Sequence, residues 1–279
     1  MQKIKYKLIV SDLDGTLLRS DGTIGEKSRK AIQEYIAQGG RFVLSTGRMA
    51  TSSVEYAKSL GLQGLVACFQ GGWIADLATG ETVFETGIPN AEAVKICEKL
   101  EAMGLYIQTF KPKEFFVNWG GEELAYYERH EIVKGKVVAP NTMSQFLKEQ
   151  GFAPVKFLMC VKTSEQQRIF EEIQRAVGSE YYVTTSSERF IEICNKTNSK
   201  GTALEYIAQY YGIPLSETIA IGDQYNDVPM IEKAGLGFAM KNASPLLINS
   251  EKAIPLAYTN NEDGVGRMIE AYAYEKENE

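Results

Sequence analysis

Short apolar strands alternate with amphipathic helices at both ends of this chain, and that alternation restricts the folds open to it. KYKLIVSD reads as a strand. EKSRKAIQEYIAQGG repeats apolar residues at helical spacing and stops at Gly39 and Gly40. RFVLSTG predicts a second strand, SSVEYAKSLGL a second helix, and LVACFQGG a third strand running into paired glycines. The pattern returns in NSKGTALEYIAQYYGI, ETIAIGD, YNDVPMIEKAG, LGFAM, AIPLAYT and EDGVGRMIEAYAYEKE. Strand–helix–strand order of this kind predicts an α/β architecture, a parallel sheet with helices on its faces.

The middle of the chain differs. GGWIADLATGETVFETGI reads as a hairpin turning at Ala-Thr-Gly-Glu. From about Pro89 the segments become helix, then aromatic and β-branched strands such as YIQTFKP and EFFVNWG, then further helices and strands ending at IEIC. The change in pattern predicts an inserted α+β unit over residues 86–195. The flanking halves, 1–85 and 196–279, then form one core. With 279 residues there is material for two such units.

Composition narrows the function classes. Hydrophobic residues make up 44% and charged residues 24%, the balance of a globular chain. A net charge of -6 gives no general reason to expect nucleic acid or an anionic membrane as partner. The start turns acidic too early for a signal peptide, and no segment has the length of a membrane span, so a cytoplasmic protein is the expectation. Cys68, Cys97, Cys160 and Cys194 form no CxxC pair and read as buried free thiols. His130 is the one histidine, so a structural zinc is not expected.

The chemistry gathers at strand ends. LIVSDLDGTLL places Asp12 and Asp14 two apart where the first strand breaks. Side chains two apart face the same way, so both carboxylates can converge on one point while Leu13 turns inward. Ligand sites of open parallel sheets lie at such strand ends. Gly15 permits a tight turn. IGDQYND brings a second acidic pair, Asp223 and Asp227, after another short strand. Crowded like charges need a positive partner, and a hard divalent cation such as Mg²⁺ suits oxygen ligands beside a phosphate. STGR, Ser45 to Arg48, offers hydroxyls, a glycine backbone and a cation; a hydroxyl there can equally cap the next helix. Lys200 opens a helix, as an ordinary surface lysine also can.

In order, DLDGTLL, LSTGR, NSKGTAL and GDQYNDVPM resemble the motifs of the haloacid-dehalogenase (HAD) superfamily, and the chain is similar over nearly its full length to phosphatases of the Cof type. GFAMKNA and NNEDGVGRM add later echoes. The resemblance implies a Rossmann-like HAD core with an inserted α+β cap over the site. It implies a magnesium-dependent hydrolysis of a small phosphorylated metabolite, most of all a sugar phosphate, through an aspartyl-phosphate. Asp12 is then the nucleophile, Asp14 the general acid and base, and Thr46 the phosphate-binding hydroxyl, ahead of Ser45. Lys200 neutralises nucleophile and phosphate. Asp12, Asp14 (through its backbone carbonyl) and Asp223 hold Mg²⁺, with Asp227 behind them. Leu13, Ser45, Thr46, Gly47, Lys200 and Asn226 make the phosphate- and substrate-binding set. A monomer or weak homodimer is expected.

Two departures from the family pattern bear on specificity. Gln70 stands where Asn is usual before glycine, and Lys241 where glycine is common. Lys241 reads either as a positive edge to the pocket or as a solvated side chain. In the insert, Phe110, Phe115, Phe116 and Trp119 can line a binding surface or pack the insert's own sheet. Lys111 and Lys113, around Pro112, are expected to mark a loop over the pocket, and the Lys111–Trp119 stretch to set substrate preference. His130 reads as a surface residue rather than a substrate contact. Two other functions compete. A phosphotransferase or mutase needs a device to keep water from its aspartyl-phosphate, and none is visible. A non-catalytic phosphometabolite-binding protein would lack a key group, yet Asp12, Asp14, Lys200 and Asp223 are all present. No GxGxxG follows the first strand, which argues against dinucleotide binding.

Overall fold

The computed structural model describes residues 3–129, 131–138 and 142–275. His130 lies outside the described residues. The first part of the chain runs β1 (Leu8–Ser11), α1 (Glu26–Ala37), β2 (Arg41–Leu44), α2 (Ala50–Ser59), β3 (Leu65–Cys68), β4 (Trp73–Asp76) and β5 (Thr82–Glu85). The middle runs α3 (Asn90–Ala102), β6 (Gln108–Lys111), β7 (Glu114–Val117), α4 (Glu122–Glu128), β8 (Lys136–Val137), α5 (Met143–Gln150), β9 (Lys156–Cys160), α6 (Gln166–Val177), β10 (Tyr181–Thr185) and β11 (Phe190–Asn195). The last part is α7 (Lys200–Tyr210), β12 (Thr218–Gly222), α8 (Val228–Lys233), β13 (Leu236–Ala239), α9 (Pro245–Ile248), β14 (Ala253–Pro255) and α10 (Gly264–Tyr272).

The core sheet has the order β14-β13-β12-β1-β2, and every neighbouring pair is parallel. Its central strands are apolar and buried throughout, as a sheet covered on both faces requires. α1 packs against α10, and α7 against α8. β1 and β12 lie side by side, so the loops that follow them emerge together.

The third strand departs from expectation. β3 meets the parallel sheet through one bridge, Ser45 to Ala67, and otherwise pairs antiparallel with β4 in a sheet of order β3-β4-β5. Leu77 N–H donates to the Gly64 carbonyl and ties the end of the hairpin back to the start of β3.

The inserted sheet has the order β10-β11-β9-β6-β7-β8, antiparallel except for β7 with β8. Both its faces are covered, which explains strands such as KFLMC that are apolar at nearly every position. Alternate residues divide the faces. Phe157, Met159, Ile191 and Ile193 pack with α3, α5 and α6 residues such as Ile96, Leu147 and Ile173. Phe110, Phe115, Leu158 and Cys160 point the other way and join the cluster of the parallel core. Phe110 meets Phe69 edge-on at 5.8 Å and stacks on Phe115 at 5.7 Å. Phe110, Phe115 and Phe116 are therefore packing residues, each burial contributing about 1.5–3 kcal/mol. Trp119 is half-buried against Tyr106. All four cysteines are buried and free, as expected. Among the described residues no helix is long and apolar enough to cross a membrane.

Candidate active site

The site forms where β1, β2, β3 and β12 end. After Ser11 the chain leaves the sheet, Leu13 buries its side chain in the core, and Gly15 turns at φ 73°. What Leu13 can offer a ligand is its backbone. A Cβ on Gly15 would stand 2.4 Å from Asp223 Oδ2, so this turn presses against the loop after β12. Thr16 Oγ1 donates to Asp223 Oδ1 at 3.0 Å and joins the two loops.

Lys200 reaches the centre because α7 starts beneath it. Ser199 and Thr202 form a reciprocal cap that fixes the first turn. The Lys200 ammonium donates to Asp12 Oδ1 and to Asp227 Oδ1, both at 2.5 Å. The other oxygen of Asp227 accepts the backbone N–H groups of Asp223 and Gln224, each at 2.9 Å. Asp227 thus holds both the lysine and the loop that carries Asp223. Burial would lower the Lys200 ammonium, but Asp12 and Asp227 together hold it above its ordinary range.

Asp12, Asp223 and Asp227 are buried, and their carboxylate oxygens lie within 4.8 Å of one another. One ammonium does not balance three carboxylates. Burial pushes the Asp12 carboxyl up to about 7 despite Lys200, and raises Asp223 with help from the Asp12 charge. An all-oxygen donor set short of positive charge fits a hard divalent cation. The Asp14 carboxylate stands outside this cluster. Arg48 grips it from both sides, Nε to Oδ2 at 2.6 Å and Nη2 to Oδ1 at 2.5 Å. The two aspartates of DLD are therefore held in different environments, one buried on lysine and one half-exposed on arginine.

A cavity of about 230 Å³ opens over them. Its floor is Asp12, Asp14, Thr46, Gly47, Arg48, Gln224 and Asn226. Thr46 faces it, whereas Ser45 is fully buried elsewhere, which favours Thr46 of the two hydroxyls. Lys200, Asp223 and Asp227 stand behind Asp12 and not on the cavity wall. The roof is Lys156, Leu158, Phe190 and Glu192 from the lower face of the inserted sheet, with Tyr126, Tyr127, Glu131, Ser186 and Ser187 at the sides.

This roof corrects one expectation. None of residues 111–119 lines the cavity. Lys111 pairs with Glu114 at 3.3 Å and lies over Phe152 at 4.7 Å, on the helix-covered side of the sheet. The β6–β7 turn cannot reach across the sheet to the site. The lining comes instead from β9, from β11 with the turn before it, and from α4. Lys241 is exposed and off the cavity wall, as a solvated side chain.

Lys156, Glu192 and Ser186, which were not foreseen, join Gly47, Gln70 and Asn226 in a buried link between insert and core. Lys156 Nζ donates to the Gly47 carbonyl at 2.7 Å and to Glu192 Oε2 at 2.8 Å. Gln70 Nε2 donates to the same Glu192 oxygen at 3.2 Å, and Asn226 Nδ2 donates to Gln70 Oε1 at 3.0 Å. Ser186 Oγ donates to Glu192 Oε1. Gln70 adopts φ 59°, a left-handed conformation that Asn tolerates better, and its longer side chain spans from Asn226 to Glu192. A charge in the middle of an apolar strand, as in VKFLMC and FIEIC, was the signal available in the sequence.

Comparison with known proteins agrees with this geometry. Residues 9–269 match the family of haloacid dehalogenase-like hydrolases. YxeH of Bacillus subtilis (strain 168) is 30% identical over 271 residues, covering 95% of this chain and 97% of YxeH. The 5-amino-6-(5-phospho-D-ribitylamino)uracil phosphatase YcsE of the same organism is 28% identical over 269 residues, covering 96% of each. A haloacid dehalogenase-like hydrolase from Bacteroides thetaiotaomicron superposes with a TM-score of 0.79 at 28% identity, covering 95% of this chain and 99% of that one. With that match spanning both halves of the core and the insert between them, the chain belongs to the haloacid dehalogenase-like hydrolases and is a Cof-like phosphatase.

Proposed function

We propose that the chain hydrolyses small phosphorylated metabolites, sugar phosphates foremost, through an aspartyl-phosphate on Asp12 with Mg²⁺ as cofactor. The observation that carries this reading is the unlike pair at one cavity floor: Asp12 buried on Lys200, and Asp14 held beside it by Arg48. An oxygen of Asp12 attacks phosphorus as the bond to the leaving oxygen breaks, and Asp14, turned from Arg48 and having taken a proton from solvent, gives that oxygen its proton. Water then attacks phosphorus, Asp14 takes the water's proton, and the bond to Asp12 breaks. Thr46, the Gly47 backbone and Asn226 bind the phosphoryl oxygens, and Lys200 offsets the charge that gathers on them. Asp12 and Asp223, with the Asp14 carbonyl, are the residues to hold Mg²⁺, and Asp227 supports them. The ion, when bound, screens the attacking carboxylate from the phosphate.

Residues 86–195 act as the lid, since they supply the cavity roof and none of the catalytic set. A cavity of about 230 Å³ suits a small leaving group and lies below the ~300 Å³ where pockets for larger ligands begin. That the name of YcsE describes a phosphorylated ribityl compound supports a polyol phosphate here. The test is phosphate release from a panel of phosphorylated metabolites and an aryl phosphate with Mg²⁺, repeated on Asp12→Asn. The substitution is expected to reduce turnover at least 1,000-fold with the melting transition preserved. Activity near the parent level, with deamidation excluded by mass, refutes the covalent role.

A further inference from the structure

One buried carboxylate oxygen on the cavity wall lacks a well-formed hydrogen bond among the described residues. Glu131 follows α4 and is 9% exposed. Its Oε1 takes weak hydrogen bonds, from the Met49 N–H and the Tyr127 hydroxyl, both at 3.4 Å. No well-formed hydrogen bond reaches its buried Oε2 among the described residues, although the Ser52 hydroxyl lies near the carboxyl and favours its charged form. A buried carboxylate oxygen left unpaired is costly unless a ligand completes it. Glu131 also lies where a leaving group must pass. With Asp14, Arg48 and Tyr126 it lines both the inner cavity and the wider cleft outside it.

The other polar groups on that side are already committed. Both Glu192 oxygens accept bonds, from Ser186, Lys156 and Gln70. The Lys156 ammonium spends two hydrogens on Gly47 and Glu192 and sits over the Phe110 ring at 5.1 Å. Asn226 Oδ1 is likewise buried with no hydrogen-bond partner among the described residues, but it belongs to the phosphate end of the floor. Charge then selects among leaving groups. Lys156 with Glu192, and Arg48 with Asp14, are already paired and offer no free charge to a charged leaving group, and the Glu131 carboxylate opposes an anion. Leu158, Phe190, Tyr126 and Tyr127 present apolar surface to the carbon face of a small ring or chain. An uncharged group that carries hydroxyls meets all of these conditions.

We propose that Glu131 Oε2 accepts a hydrogen bond from a hydroxyl of an uncharged, polyhydroxyl leaving group and so selects sugar and sugar-alcohol phosphates over those with anionic leaving groups. This rests on the phosphatase reading above and names the residue that sets its selectivity. The oxygen loses its unpaired state when such a hydroxyl docks, and an analogue without that hydroxyl leaves it unpaired.

The experiment combines substrate and residue changes. Hexose 6-phosphates singly deoxygenated around the ring are compared with the parent sugar phosphate and an aryl phosphate, on wild type, Glu131→Ala and Glu131→Gln. In wild type one deoxygenation is expected to lower kcat/KM about 10- to 100-fold, the range of a hydrogen bond to a charged group. In Glu131→Ala that penalty disappears, and the ratio of sugar-phosphate to aryl-phosphate kcat/KM falls by a similar factor; Gln is intermediate. Glu131→Gln also raises turnover of 6-phosphogluconate relative to glucitol 6-phosphate, since one repelling charge is gone. Wild type indifferent to every hydroxyl, or variants that lose all substrates in equal proportion, overturn the proposal. Where Glu131→Ala does not fold, the near-isosteric Glu131→Gln decides the matter: a deoxygenation penalty unchanged from wild type overturns the assignment to Glu131. A wild type that releases phosphate from no substrate refutes the phosphatase reading instead, and the proposal with it.

Discussion

Removing one member of the Lys156–Glu192 pair should cost far more than removing both. The side chains are 1% and 2% exposed, and they sit diagonally on one face of adjacent strands, Lys156 opposite Cys194 and Glu192 opposite Leu158. Glu192→Leu leaves a buried ammonium with the Gly47 carbonyl as its remaining acceptor, and it orphans Gln70 Nε2 and the Ser186 hydroxyl. Breaking a buried pair this way costs about 3–5 kcal/mol. Lys156→Met/Glu192→Leu takes both charges out. Its cost is the Gly47 carbonyl, the Gln70 amide and the Ser186 hydroxyl left unpaired, from about 1 kcal/mol each and without a bare buried charge, offset by new apolar contact beside Phe110 and Phe69. The double variant is therefore expected to be more stable than either single one. Urea unfolding of the four proteins measures this as a cycle, with a coupling larger than the loss in either single variant, above about 3 kcal/mol. Turnover should fall in the double variant despite its regained stability, because Gly47 and Asn226 lose the ties that place them on the cavity floor. Single variants within about 1 kcal/mol of the parent, or losses that simply add, would refute the reasoning.

Two further outcomes follow from the loops. Gly15→Ala places a methyl 2.4 Å from Asp223 Oδ2 at φ 73°, and is expected to destabilise the fold by about 1–3 kcal/mol and to weaken Mg²⁺ affinity, read by calorimetric titration; parent-like affinity contradicts it. In metal-free protein the Asp12 carboxyl lies near 7 against an ordinary 3.8, and Asp223 is raised as well. The folded state then keeps protons the unfolded chain has released, so this contribution to stability is present at acid pH and is lost as pH rises from about 4 to about 7. Thermal melts in EDTA should reflect that loss between pH 5.5 and pH 8, and Mg²⁺ should restore more at pH 8, where it displaces fewer protons. An equal Mg²⁺ effect at both values would exclude the buried carboxylates as its site.

Much of the catalytic end was legible in the chain. The apolar runs ending in DLDGT and IGDQYND determined that carboxylates would stand at the ends of neighbouring buried strands, because within a strand covered on both faces a charge needs a buried partner, as Glu192 has in Lys156. NSKGTAL likewise marked a helix start at Lys200, where a surface lysine could equally stand; the Ser199–Thr202 cap and the reach of Lys200 to Asp12 are decided by the structure. The lid side was not legible in that way. The stretch 111–119 drew attention through its aromatics, yet its rings pack and its lysines face away, since a period of two along a strand does not say which face meets the core when both faces are apolar. Lys156 and Glu192 lie 36 residues apart and Gln70 lies 122 from Glu192, so only the pairing of β9 with β11 and the docking of the inserted sheet onto Phe69 bring them together. The unpaired oxygen of Glu131 depends on the same docking. Local residue patterns determine where a chain turns and what each turn carries; which buried charge meets which carbonyl is decided by the packing of two sheets against each other.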